Sequence, residues 1–140
     1  MVCTFFGHKD APDNIKNTLF CVIKNLIEKE NVTEFYVGNQ GAFDYYVRGI
    51  LNKLSNIYEI NYYVVLAYFP KADGLIENIE NTMLPEGIEN VPKKFSIDWR
   101  NRWMIRKSSY VVTYVKRNIG GAAKFKELAE KQNKIVININ

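Results

Sequence analysis

The chain has 140 residues, 47% hydrophobic and 24% charged, with a formal charge of +4. That suits one globular domain with a core of its own and is short for two. No apolar run reaches the roughly 18 residues of a membrane-spanning helix, and no basic, apolar and cleavable leader opens the chain. Two isolated cysteines, Cys3 and Cys21, and a single histidine, His8, argue against a disulfide framework, a His/Cys metal site and a Cys–His–Asn triad. Both cysteines read as small buried residues of a reducing, cytoplasmic compartment.

The predicted elements alternate. Val2–Phe6 is a continuous apolar run stopped by Gly7 and reads as a buried strand. Asp10-Ala11-Pro12-Asp13 is a helix start with a capping acid and a first-turn proline. Ile15, Leu19, Val22, Ile23, Leu26 and Ile27 then follow helical spacing. Thr33–Val37 is a second strand ending at Gly38, and Ala42–Ser55 a second helix with Phe43, Val47, Ile50, Leu51 and Leu54 on one face. Asn61–Tyr68 is a third strand. Residues 69–94 hold three of the four prolines and many acids and amides, and read as a long functional connection with one helical turn near Leu75–Asn81. Asp98–Lys107 is helical with Trp99, Trp103 and Met104 inward. Tyr110–Val115 is a fourth strand. A helix runs from Gly120-Gly121 to about Gln132, and Lys134–Ile139 is a fifth strand.

Five apolar strands separated by helices specify a single α/β domain over residues 1–140: Rossmann-like, doubly wound, with a mostly parallel five-stranded sheet in the order 3-2-1-4-5. In that order the switch point falls between strands 1 and 4, where ligands bind at the carboxyl ends.

The charge is not spread evenly. Residues 93–117 carry eight basic side chains against Asp98 alone, a local +7, and the remainder of the chain is −3. One basic segment on a neutral-to-acidic body points to a local anion site or to a solvated basic helix face.

Three loops meet at the predicted switch point: Gly7-His8-Lys9-Asp10, Gly38-Asn39-Gln40-Gly41 and Lys116-Arg117-Asn118-Ile119-Gly120-Gly121. Glycine allows close backbone approach, and a helix opening at Gly120-Gly121 offers free N–H groups to phosphate. His8 stands at the crevice mouth as a hydrogen-bonding group or a structural histidine. Asp44, in the first turn of the second helix, binds a ribose hydroxyl or complements the helix dipole. No metal ligand set and no cofactor is indicated.

Met104-Ile105-Arg106-Lys107, a strand, and then Gly120-Gly121-Ala122-Ala123-Lys124-Phe125-Lys126-Glu127 resemble the paired signature of the LOG proteins, Met-x-x-Arg-Lys and Pro-Gly-Gly-x-Gly-Thr-x-x-Glu. Phe6-Gly7-His8-Lys9, Gly38-Asn39-Gln40-Gly41 and the Val136-Ile137-Asn138 ending resemble small stand-alone bacterial or phage members of the wider SLOG superfamily, which holds LOG-like and DprA-like Rossmannoid domains. The resemblance covers essentially the whole chain. It departs from the LOG pattern at Ile119, which replaces the proline, and at Ala123-Lys124, which replace Gly-Thr.

The resemblance implies two functions. SLOG domains bind nucleotides or nucleotide-derived signals of the ADP-ribose or cyclic-nucleotide type, as sensors or sequestering proteins, including in phage and bacterial defence. LOG enzymes are nucleoside 5′-monophosphate phosphoribohydrolases, and their Arg and Glu map to Arg106 and Glu127. The first reading leads, with Gly7, His8, Lys9, Gly38, Asn39, Gln40, Asp44, Arg102, Arg106, Gly120, Gly121 and Lys124 as ligand-binding residues in a homo-oligomer without membrane contact. Lys124 takes the place of a phosphate-binding hydroxyl as a point charge. A protein-interaction module and DNA binding rank lower.

Overall fold

Strand residues alternate between two apolar layers. In the computed structural model, which describes residues 1–69 and 81–139, β1 (Val2–Gly7) sends Cys3 and Phe5 to one side and Phe6 to the other. β2 (Glu34–Val37), β3 (Asn61–Val65), β4 (Thr82–Met83), β5 (Tyr110–Tyr114) and β6 (Ile135–Asn138) complete the sheet. On the first side, α1 (Lys16–Lys29) and α2 (Gly41–Ser55) bury Leu19, Ile23, Leu26, Phe43, Val47 and Leu51 against Phe5, Phe35 and Val112. On the second, α3 (Lys93–Lys107) and α4 (Gly121–Lys131) bury Trp103, Met104, Ile105, Phe125 and Ala129 against Phe6, Tyr36 and Val111. Burial on both faces is why these strands read as continuous apolar runs.

The sheet order is β4-β3-β2-β1-β5-β6 and every pairing is parallel. The fold is therefore Rossmann-like and doubly wound, as the sequence indicates, with six strands rather than five. The extra strand is β4, a two-residue edge strand whose Thr82 and Met83 pair with Val64 and Val65. Two residues carry no readable period. The added edge leaves the switch point unchanged, here between β1 and β5.

Three local expectations change. α3 begins at Lys93, not Asp98, because Pro92 is already extended (φ −55°, ψ 139°) and its carbonyl accepts the Phe95 N–H at 2.9 Å. Asp10 caps no helix: its carboxylate takes two hydrogen bonds from Arg117, at 2.9 and 3.3 Å. Cys3 is buried, but Cys21 lies on the exposed side of α1. The helical turn expected near Leu75–Asn81 lies, but for its last residue, outside the described residues. Among the described residues no helix is long and apolar enough to cross a membrane.

Candidate ligand-binding cleft

Parallel strands place all their carboxyl ends on one edge, so the loops leaving β1, β2 and β5 come together there. They enclose a cleft of about 510 Å³, bordered by Gly7, His8, Lys9, Gly38, Gln40, Asp44, Gly120 and Gly121 among the expected residues. Its apolar lining comes from Phe6, Ile97, Met104, Ile119 and Phe125, with the Phe6 and Phe125 rings stacked at 5.4 Å.

The loop after β5 is held from two sides. His8 is buried, and its Nε2 accepts the backbone N–H groups of Lys116 at 2.9 Å and Arg117 at 3.3 Å. Asn138, at the end of β6, accepts the Val115 N–H through Oδ1 at 2.9 Å and donates to the Val115 carbonyl at 3.2 Å. Burial and the neighbouring Arg117 charge lower the His8 pKa, whereas Asp10 raises it. The neutral ring is thus the acceptor that this loop needs. Beyond the loop, Gly120 has φ +95°, a conformation L-residues rarely adopt, and opens α4 toward the cleft. A Cβ at Gly120 or Gly121 would meet no atom within 4 Å, so the backbone here faces open space.

Other glycines serve the chain itself. A Cβ at Gly7 would fall 2.2 Å from the Phe43 ring, so Gly7 lets α2 pack on the end of β1. At Gly38 a Cβ would sit 2.8 Å from Asp44 Oδ2 and 3.4 Å from the Arg100 guanidinium carbon. The missing side chain of Gly38 therefore leaves room for a buried carboxylate and a buried cation to approach one point.

That cation is the feature sequence reasoning missed. Arg100 is 1% exposed. Its Nη1 donates to the Val65 carbonyl at 2.8 Å and to Asn39 Oδ1 at 3.4 Å, and its Nε donates to Asn101 Oδ1 at 2.8 Å. Nη2 has no hydrogen-bond partner among the described residues, and Arg100 lines the cleft. Burial works against its charge and Asp44 supports it. Asp44 is 8% exposed and accepts the Gln40 N–H at 2.9 Å. Burial pushes its carboxyl up to about 6, while the Gln40 N–H, Arg100, Arg48 and Lys9 pull it down.

The remaining expected residues are not brought to the cleft. Arg106 is exposed in the last turn of α3, and α3 leads directly to the opposite edge, where the Ser109 N–H bonds the Val2 carbonyl. Of the arginines at 100, 102 and 106, only Arg100 borders the cleft. Arg102 and Lys124 both pair with Asp98, at 2.7 and 2.6 Å, and so clasp α3 to α4. Glu127 pairs with Lys131 along α4, both exposed. Arg106 and Glu127 therefore form no catalytic pair in this cleft. Asn39 borders a different hollow of about 550 Å³, between α2 and β3, with Arg48, Lys53 and Tyr62. No cluster of three or more metal-ligating side chains occurs among the described residues.

No family model matches the sequence, and no curated protein matches it. Among solved structures, the DNA processing protein A (DprA) of Streptococcus pneumoniae superposes with a TM-score of 0.72 at 16% identity, over 99% of this chain and 50% of that one. The fold is DprA-like. This chain spans half the length of the DprA chain, and at that identity the likeness concerns the fold alone.

Proposed function

We propose that this chain binds a nucleotide or a nucleotide-derived phosphate compound, of the ADP-ribose or cyclic-nucleotide type, in the cleft between β1 and β5. The observation that carries this reading is the convergence of the three loops on one cleft that combines the open N-terminus of α4, Lys9 and Arg117 at the rim, and an apolar floor. The first turn of a helix presents unpaired N–H groups and a positive dipole end, which suits phosphate. Lys9 adds cationic charge at the same rim, where Arg117 stands paired with Asp10. The apolar floor suits a base, which gains little from water on its faces. The DprA-like fold agrees with the superfamily the sequence resembles.

Isothermal titration calorimetry with AMP, ADP-ribose and a cyclic-nucleotide panel tests the reading. Saturable binding of at least one, weakened several-fold by Lys9→Ala together with Arg117→Ala, is the expected result. No heat from any member of the panel removes it.

A further inference from the structure

The cleft has two walls of different chemistry. At the rim, Lys9 and the start of α4 offer positive charge to solvent, beside the Arg117–Asp10 pair. In the interior, Asp44 and Arg100 line the space and both approach the point where a Gly38 side chain would stand. Resting on the phosphate-ligand reading above, we infer that the Asp44–Arg100 wall is a ribose subsite, which recognises the vicinal hydroxyls of a ribonucleotide and disfavours its 2′-deoxy counterpart.

The atoms left free define the complement. Asp44 Oδ2 is occupied by the Gln40 N–H, and Oδ1 has no hydrogen-bond partner among the described residues. On Arg100, Nε and Nη1 are occupied, and Nη2 alone is unpartnered. The wall thus offers one charged acceptor and one charged donor. A vicinal diol matches that pair, because one hydroxyl donates to the carboxylate while the other accepts from the guanidinium. Both side chains are more than nine-tenths buried, and among the described residues only Arg48 Nε is fully buried without a partner, so the free Oδ1 and Nη2 are the parts of Asp44 and Arg100 that reach the cleft.

Phosphate does not fit this wall. A bidentate grip on phosphate uses N–H groups on two guanidinium nitrogens, and on Arg100 only Nη2 is without a partner among the described residues. The Asp44 carboxylate beside it repels an anion. A metal ion is equally ill matched, since the wall holds one carboxylate and a permanent cation. The same reasoning orients the ligand: phosphate to the rim, base over Ile97, Met104 and Phe125, and ribose between them against Asp44 and Arg100.

Calorimetry with AMP, 2′-deoxy-AMP and ribose 5-phosphate on the intact chain tests the subsite. Because a hydrogen bond to a buried charged group is at stake, AMP is expected to bind roughly ten- to hundred-fold more tightly than 2′-deoxy-AMP. Asp44→Asn replaces the acceptor pair by an amide of the same shape and brings that ratio toward one. Gly38→Ala displaces the pair without deleting a charge, through the clash described above, and narrows the ratio as well. Equal affinities for AMP and 2′-deoxy-AMP in the unaltered chain overturn the subsite while leaving the phosphate reading standing. A ratio preserved in both folded variants also overturns it. No binding of any of the three compounds removes the phosphate reading and the subsite together.

Discussion

The rim and the interior of the cleft hold the same residue types in opposite physical states. At the rim, Arg117 and Asp10 form an exposed pair at 2.9 Å. In the interior, Arg100 and Asp44 are desolvated and fixed by hydrogen bonds to Val65, Asn39, Asn101 and Gln40. Water screens the first pair, so its geometry contributes little to the fold. Nothing comparable screens the second, and there every unmet hydrogen bond or charge counts. Charge count alone places both pairs in one class; burial separates them.

The largest expected effect comes from removing the interior cation. Arg100→Met deletes three hydrogen bonds from a buried side chain and leaves the Val65 carbonyl without its partner, so urea denaturation at pH 7 is expected to show a loss of about 3–5 kcal/mol. The corresponding rim variant, Arg117→Ala, is expected to leave stability nearly unchanged. Comparable losses in the two variants would erase the distinction between the walls.

The next effect has the opposite sign. Burial raises the Asp44 carboxyl from 3.8 to about 6, so the folded state holds this proton more tightly than the unfolded chain does. Ionisation therefore costs stability as pH rises from about 4 to about 6, and the cost persists above that range. Asp44→Asn is expected to stabilise the fold at pH 8 by an amount on the order of 2–3 kcal/mol, and by almost nothing at pH 4. Denaturant midpoints at the two pH values check this. A carboxylate that costs stability where it stands, and whose neutral isostere loses ribose discrimination, would be serving the ligand rather than the fold.

His8 gives a smaller effect that runs the other way with pH. Its folded-state pKa lies below 6.5, so the unfolded chain takes up the proton first and stability falls as pH drops below about 6.5. His8→Phe keeps the ring volume but orphans two backbone donors, and a loss of about 1–3 kcal/mol at pH 7 is expected. Hydrogen exchange at the Lys116 and Arg117 amides should accelerate in that variant; unchanged exchange would show that the ring does not hold the loop. Smallest of all, Glu127→Ala removes an exposed pair on α4 and is expected to leave ligand affinity unchanged by calorimetry.

Much of this architecture is legible in the chain because it rests on local period and punctuation. The β1 and β5 runs are apolar but for Thr4 and Thr113 since both faces are covered, and the stop at Gly7 and the start at Gly120-Gly121 locate the switch point and its loops. β4 escapes notice because two residues carry no period. Arg100 escapes for a different reason. An arginine in a segment of eight basic residues reads as surface, and only the folded chain shows that its guanidinium turns inward to the Val65 carbonyl. Arg106 and Glu127 illustrate the converse: short motifs attract attention, yet position along a helix decides which edge of the sheet a side chain reaches. Two turns of α3 separate an arginine at the cleft from one at the far edge.

The anchoring of the β5–α4 loop carries a thermodynamic consequence. Ordering a backbone residue costs about 1–2 kcal/mol of conformational entropy, and His8 and Asn138 have already imposed that order on residues 115–117 when the chain folds. Capture of the proposed ligand would then be a docking event rather than a local folding event. Its rate would follow encounter and electrostatic steering, and its heat-capacity change would reflect only the apolar surface covered, with no added contribution from chain ordering.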